Sequence, residues 1–437
     1  MLASPLAGYE RTQGMKDQKT ATLPLPTADA GRESSGATAR QSVSVIDRRL
    51  AYKMLEAAGR PAIALVLWNG EEVYQGAVPP IARAHIRDRA AFYRLLRNPS
   101  LHFGDLYSAG RIAIEGDLVD FLVATYQGMS DQQRGVLARL HKLVTPRPRA
   151  NTLTGSRANI HHHYDIGNPF YELWLDRDYQ QYTCAYFPDP TMSLEQAQAA
   201  KLEHVCRKLE LKPGDTVAEA GCGWGGLARY MAKHHGVRVR AYNISHEQVV
   251  YARSRAKDEG LTDRVEYVED DYRNIAGEYD KFVSIGMLEH VGPDNYGGLG
   301  DVINRVLKPS GRGLIHTIGR NKPELMNAWI ERRIFPGAYP PTLREMMEIF
   351  EPYSFSVLDV ENLRLHYAET LRHWLKRYEE NTPKVETMFD RTFVRAWRLY
   401  LAGSIAAFLS GSLQLFQVVF ARPRDNSLLF SRAHLYR

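Results

Sequence analysis

The stretch Gly221-Cys222-Gly223-Trp224-Gly225-Gly226 constrains this chain more than any other, because the apolar run Val217-Ala218-Glu219-Ala220 precedes it and the helical pattern Leu227-Ala228-Arg229-Tyr230-Met231 follows. A strand passes into a helix through glycines. Glycine lets a backbone turn this tightly and approach a bulky ligand, and nucleotide cofactors rest on such turns at the carboxyl ends of parallel strands. Strands predicted at 216–220, 237–242, 265–269, 281–285 and 312–318 alternate with helices after Gly226 and over 246–259. This alternation specifies an α/β, doubly wound, mostly parallel sheet covered on both faces. Gly221, Asn243, Asp271, Gly286 and Ile318 are expected to open toward one crevice beyond the strand ends.

Gly221, Gly223 and Gly226 also satisfy the dinucleotide fingerprint G-x-G-x-x-G. Two details favour S-adenosylmethionine instead. Glu219, two residues before the first glycine, can hold a cationic methionyl end, and the next strand ends near Asn243 rather than at the acidic ribose ligand of a nicotinamide site. A dinucleotide and a purely structural glycine turn remain the alternatives.

A chain of 437 residues, 44% of them hydrophobic, is long enough for two domains. Its net charge of +6 and pI near 9.0 favour anionic surfaces, which admits nucleic acid or phospholipid head groups. No nucleic-acid motif accompanies the charge. Cys184, Cys206 and Cys222 have no zinc-ligand spacing and are too few for a disulfide scaffold, so a reducing compartment is expected. The run His161-His162-His163 reads as a loop rather than a metal site.

Residues 1–43 read as a disordered lead-in, rich in Ala, Ser, Thr, Gly and Pro and without a secretory signal. A smaller mixed α/β domain is expected over 44–144, with a strand at 62–68 and helices at 90–96 and 117–126, and it holds no catalytic cluster. A Pro-rich linker over 145–154 separates it from a second domain over 155–437. The uncharged stretch 401–421 is long enough to cross a bilayer, but its Gly, Ser and Gln residues point to a buried helix-turn-strand. Trp374, Tyr378, Phe389, Phe393, Trp397 and Tyr400 are interspersed with Arg372, Lys376, Arg377, Arg391, Arg395 and Arg398. Either head-group-facing helix edges or an ordinary core with a solvated basic edge fits that pattern.

Five ordered motifs carry a more specific likeness: His163-Tyr164-Asp165-Ile166-Gly167-Asn168, Tyr182-Thr183-Cys184-Ala185-Tyr186, the segment from Glu219 to Gly226, Gly286-Met287-Leu288-Glu289-His290-Val291-Gly292, and His316-Thr317-Ile318-Gly319. Together they resemble cyclopropane-fatty-acyl-phospholipid synthases over residues 155–425, with a weaker echo at Phe103-Gly104-Asp105-Leu106-Tyr107-Ser108-Ala109-Gly110. The resemblance implies a class I methyltransferase-type fold. It also implies transfer of the methyl of S-adenosylmethionine to a cis double bond of an unsaturated phospholipid acyl chain, closed to a cyclopropane after deprotonation by bound bicarbonate.

By the same resemblance, Cys184, Glu289, His316, Ile318 and Tyr367 form the bicarbonate site. Tyr182 and Thr183 take the methionyl end, Gly221 and Gly223 the turn, Asn243 and Gln248 the ribose, and Asp271 with Tyr272 the adenine edge; Glu219 and Gly225 complete the candidate cofactor residues. Ser404 stands where some members carry a cysteine, so a thiol there has no part in this protein. The expected location is cytoplasmic, peripheral on the inner face of the cell membrane, with a possible homodimer. Related activities giving methyl- or methylene-branched lipid or a methylated amine, and an inactive lipid-binding module, are the alternatives.

Overall fold

Alternating strand and helix signals become a seven-stranded sheet in the computed structural model, which describes residues 42–132 and 166–436. The expected lead-in up to residue 41, the end of the first domain, the linker, the His161–His163 run and the first half of the His163-to-Asn168 motif lie outside the described residues. The sheet consists of β5 (Thr216–Ala220), β6 (Arg238–Asn243), β7 (Val265–Glu269), β8 (Tyr279–Ile285), β9 (Leu307–Gly319), β10 (Ser356–Asn362) and β11 (Gln414–Ala421). Their spatial order is β10-β11-β9-β8-β5-β6-β7. β7, β6, β5, β8 and β9 are mutually parallel, and β11 runs antiparallel to both β9 and β10. This is the expected class I methyltransferase-type fold.

Chain order reverses at β5, where β6 pairs on one side and β8 on the other. A crevice opens at that point because the following connections leave toward opposite faces. Strands β5 and β7 have the expected bounds, and those of β6, β8 and β9 differ from expectation by up to five residues. β10 has no counterpart among the expected strands. Its sequence, Ser356-Val357-Leu358-Asp359-Val360-Glu361-Asn362, mixes charge with β-branched residues and pairs only on one side.

The first 91 described residues, 42–132, form a four-stranded sheet, with β1 (Ile63–Val66), β2 (Glu72–Val73), β3 (Ala82–Ile86) and β4 (Ile112–Glu115) in the order β2-β1-β3-β4. Helices Val45–Ala57, Arg89–Arg97, Pro99–Ser108 and Leu118–Gln132 accompany it. The first of these has a capping box in which Ser44 and Asp47 satisfy each other's backbone N–H groups.

The stretch 401–421 is the end of helix Arg391–Leu409, a turn, and β11, with every residue of β11 buried. Among the described residues no helix is long and apolar enough to cross a membrane. Trp374, Tyr378, Phe393, Trp397 and Tyr400 are buried, which makes that aromatic series core. The basic partners are largely committed: Arg395 donates to the carbonyls of Tyr107 and Ile112 at 2.6 and 3.0 Å, Arg377 to Leu175 O and Glu195, and Arg398 pairs with Glu379.

The two sheets are tied through helix Pro99–Ser108. Gly104 lies directly against the Trp329 ring, Asp105 accepts from Arg333 at 3.1 and 3.2 Å, and Ser100 Oγ accepts from the Ala328 amide at 3.1 Å. Helix Ala328–Arg333 leads into Phe335 and Ala338, which line a cavity described below. A side chain at Gly104 must displace the indole. Gly104→Val is therefore expected to destabilise the protein by about 1–3 kcal/mol, the usual range for overpacking, in chemical denaturation followed by Trp fluorescence. An unchanged midpoint and slope would show that this contact does not hold the two parts together.

Candidate functional site

Two adjoining cavities lie at the carboxyl end of the sheet. The first encloses about 760 Å³ of space continuous with solvent, and Glu219, Gly221, Cys222, Gly223, Asn243 and Gln248 are among its lining residues. Gly223 has φ +53° and its missing Cβ would meet no atom within 4 Å, so any side chain there would project into open space with a strained backbone. Asn243 Nδ2 donates to Gly223 O at 3.1 Å and to Gln248 Oε1 at 2.8 Å, which ties the end of β6 to the glycine turn. Burial pushes the Glu219 carboxyl up to about 8, and its Oε2 has no partner among the described residues. Such an acceptor is costly unless a ligand satisfies it.

Gly225, Asp271 and Tyr272, expected to touch the cofactor, are not on this lining. Gly225 lies beneath the Tyr267 ring, and its carbonyl accepts from Tyr267 Oη at 2.8 Å, so it serves close packing of the helix that follows. Asp271 caps a short turn, accepting from the Arg273 amide at 3.0 Å.

The second cavity is smaller and is lined by Tyr182, Thr183, Gly286, Glu289, His290, His316, Ile318, Phe335, Ala338, Tyr367, Tyr400 and Leu415. Tyr182, Thr183, Gly286 and His290 line both spaces, so the two meet at those residues. Glu289 Oε1 accepts from the Ile318 amide at 2.6 Å, while Oε2 is buried without a partner among the described residues. Burial raises its pKa to about 7 against the pull of that amide. His316 is held neutral, since burial drives its pKa well below the ordinary value and the nearby Lys201 and Lys208 add to the effect. Its Nδ1 lies 3.0 Å from Gln417 Nε2, and its Nε2 has no partner among the described residues.

Four of the five residues expected at the anion site, Glu289, His316, Ile318 and Tyr367, thus share one wall. Cys184 does not line it. Its thiol donates to Ala185 O at 3.0 Å, and burial keeps it protonated. Tyr367 is fixed by stacking on Phe408, with ring centroids 4.7 Å apart.

Several lining residues were not singled out from the sequence. His290, with its pKa lowered by burial to about 4, lies inside a motif already quoted. Tyr400, bonded to Tyr182 Oη at 2.8 Å, read only as part of an aromatic series. Helix Leu194–Leu209 contributes a buried polar face: Gln198 donates to Thr183 O at 2.8 Å, and Lys201 donates to Thr183 Oγ1 at 2.9 Å and to Gln181 Oε1. Lys201 and Lys208 within an otherwise apolar helical face were the available signal.

A family model described as "Mycolic acid cyclopropane synthetase" matches residues 151–418, and one described as "Domain of unknown function (DUF7884)" matches 51–133. The chain is 36% identical over 398 residues to a "Cyclopropane-fatty-acyl-phospholipid synthase" of Escherichia coli, covering 90% of this chain and 98% of that one. It is 34% identical over 386 residues to a "Probable fatty acid methyltransferase" of Pseudomonas putida, covering 86% and 96%. The solved mycolic acid cyclopropane synthase CmaA1 complexed with SAH and CTAB superposes with a TM-score of 0.57 at 28% identity, covering 60% of this chain and 97% of that chain.

The raised Glu289 pKa has a consequence for stability. The unfolded carboxyl titrates near 4.5 and the folded one near 7, so between those values the folded state binds the extra proton and stability falls as pH rises. Glu289→Gln removes that loss. The unfolding free energy of the variant minus that of the wild type is expected to rise across this window and level off above it. A difference independent of pH in urea titrations would contradict the burial of an acidic carboxyl here.

Proposed function

The chain belongs to the mycolic acid cyclopropane synthetase family, and from that membership we propose that it converts a cis double bond of an unsaturated phospholipid acyl chain into a cyclopropane, with bicarbonate as the base. It is an S-adenosylmethionine-dependent lipid methyltransferase. One observation carries the finer reading: a buried carboxylate oxygen and a buried imidazole nitrogen, both without partners among the described residues, line one cavity beside the cofactor-sized one.

The first cavity fits the methyl donor. Its glycine turn leaves room for a ligand, and Glu219 offers an unmet acceptor for a cationic methionyl end. Tyr182, Thr183, Gly221, Gly223, Asn243 and Gln248 would hold the rest. When bound, S-adenosylmethionine supplies an electrophilic methyl. Tyr182, Thr183, Gly286 and His290, shared by both cavities, orient the reaction at their junction, where positioning counts most because an alkene is a weak nucleophile.

Phe335, Ala338, Ile318 and Leu415 provide the apolar wall for an acyl chain and exclude water from the carbocation that methyl transfer leaves on the neighbouring carbon. A hydrogen carbonate ion both donates and accepts, and the second cavity offers both complements: an acceptor at Glu289 Oε2 and, with its proton on Nε2, a donor at His316. Glu289, poised near neutrality, can take over from the bicarbonate the proton lost by the new methyl and return it to solvent. Tyr367 adds a hydroxyl, and Cys184 contributes by packing behind the wall. Two structural units, 44–144 and 155–437 joined over 145–154, are part of the proposal, as is action at a membrane surface without a span. A branched-lipid product is the second reading; the name of the Pseudomonas putida relative specifies methylation of a fatty acid without a ring.

Gly223→Val is expected to abolish S-adenosylmethionine binding in calorimetry while circular dichroism stays that of the wild type; unchanged affinity would remove the turn from the site. Glu289→Gln preserves shape and should cost roughly 10²–10⁴-fold in turnover, as loss of one positioned acid-base group does, with cofactor affinity retained. The assay follows cyclopropane lipid by mass spectrometry with bicarbonate depleted and restored. Wild-type turnover indifferent to bicarbonate, together with near-normal turnover of Glu289→Gln, would refute the anion site.

A further inference from the structure

Glu361, Gln417 and His316 form a continuous row across three strands, because Glu361 on β10 pairs in register with Gln417 on β11, and Gln417 with His316 on β9. Directly paired residues present their side chains to the same face of a sheet. Helix Leu194–Leu209 lies across that face and drops Lys208 onto the row: its Nζ donates to Glu361 Oε2 at 2.6 Å and to Gln417 Oε1 at 2.8 Å. His204, one turn earlier, pairs with the same Glu361 oxygen at 2.7 Å. Burial would raise the Glu361 carboxyl, but the His204 hydrogen bond and the Lys208 charge prevail and hold it near 2. Gln417 and Lys208 are both buried.

The direction of this chain is set by its first member. A lysine ammonium has protons to give and no lone pair to receive one, so the Gln417 atom facing it must be the carbonyl oxygen. The amide NH₂ of Gln417 is thereby turned toward His316 Nδ1, which must accept. A neutral imidazole that accepts at Nδ1 carries its proton on Nε2. That nitrogen is the buried one without a partner among the described residues, on a residue lining the second cavity.

We propose that Lys208 and Gln417 are positioning residues for the reaction, fixing His316 as the neutral Nε2–H tautomer so that it presents a hydrogen-bond donor, without positive charge, to an anion in the cavity. The tautomer follows from the strand register together with the hydrogen bonds from Lys208 to Gln417 and from Gln417 to His316; its use rests on the anion reading above. A permanently charged donor would compete with Glu289 for the role of partner and hold the anion in an ion pair. A neutral donor binds it while leaving its basicity intact. With Lys208 replaced, the Gln417 amide is free to rotate and offer its oxygen, which draws the proton to Nδ1 and converts Nε2 into an acceptor facing a negative charge.

The test uses the full-length protein with ¹⁵N-labelled histidine, the His316 resonances being assigned by their loss in His316→Gln. Wild-type protein should show a protonated Nε2 and an unprotonated Nδ1. Lys208→Met should shift the tautomer toward Nδ1–H, Gln417→Leu, which offers Nδ1 no partner, should loosen the Nε2–H preference to a mixture of tautomers, and each should weaken the apparent affinity for bicarbonate about tenfold, as expected for one lost bond to a charged group, with S-adenosylmethionine affinity unchanged. Gln417→Leu retains the Lys208–Glu361 pair and serves if Lys208→Met does not fold. A wild-type Nδ1–H tautomer, or a tautomer and bicarbonate dependence untouched in the folded variants, overturns the proposal. A tautomer that shifts as expected in an enzyme indifferent to bicarbonate supports the relay and overturns the anion reading instead.

Discussion

Strand β9 is held between a parallel neighbour, β8, and an antiparallel one, β11, and the second cavity depends on that double pairing. The β8 side brings Ile285 opposite His316 and starts the turn carrying Gly286 and Glu289. The β11 side brings Gln417 opposite His316 and Leu415 opposite Ile318. A slip of one residue in either register would turn His316 to the other face of the sheet, since side chains alternate along a strand. Glu289 closes the arrangement by accepting from the Ile318 amide, which locks the turn after β8 to the end of β9.

Holding buried polar groups without partners is expensive, at about 1–3 kcal/mol each. Glu219, Glu289 and His316 each keep such an atom at the cavities. Their surroundings make this tolerable by a common device: burial pushes both carboxyls toward the neutral acid and keeps the imidazole uncharged. The apolar mass that offsets the cost includes Phe170, Trp174, Trp374 and Trp397, which pack edge-on and tilted at centroid separations between 4.9 and 6.0 Å. Lys201 and Lys208 add buried charge that is answered locally, by Gln181 and Thr183 in one case and by Glu361 and Gln417 in the other.

The glycine turn and the strand-helix alternation were legible because local physics dictates them: β5 and β7 run where the apolar runs place them, and the diluted stretch ending in β11 is a buried helix-turn-strand. Glu289, His316, Ile318 and Tyr367 were legible only as members of ordered motifs, since each alone reads as core or cap. Helix Pro99–Ser108 and β10 escaped, the former because its ten residues carry little amphipathic pattern and the latter because it is charged and partly exposed. Cys184 was expected at the anion and instead turns its thiol to Ala185 O, which no spacing could reveal. The Lys208–Gln417–His316 row was invisible for a different reason. It joins residues more than a hundred positions apart through strand register, which is a property of the assembled sheet.

The central claim is that methyl transfer to an alkene is followed by loss of a proton from the transferred carbon. Incubating the protein and unsaturated phospholipid vesicles with S-adenosylmethionine labelled by three deuterons on its methyl, and analysing the acyl chains by mass spectrometry, tests it most directly. A cyclopropane retaining two of the three deuterons on its bridging carbon is the result expected. A methyl-branched chain that keeps all three on an open methyl group, or an absence of any label in lipid despite bound cofactor, would contradict it.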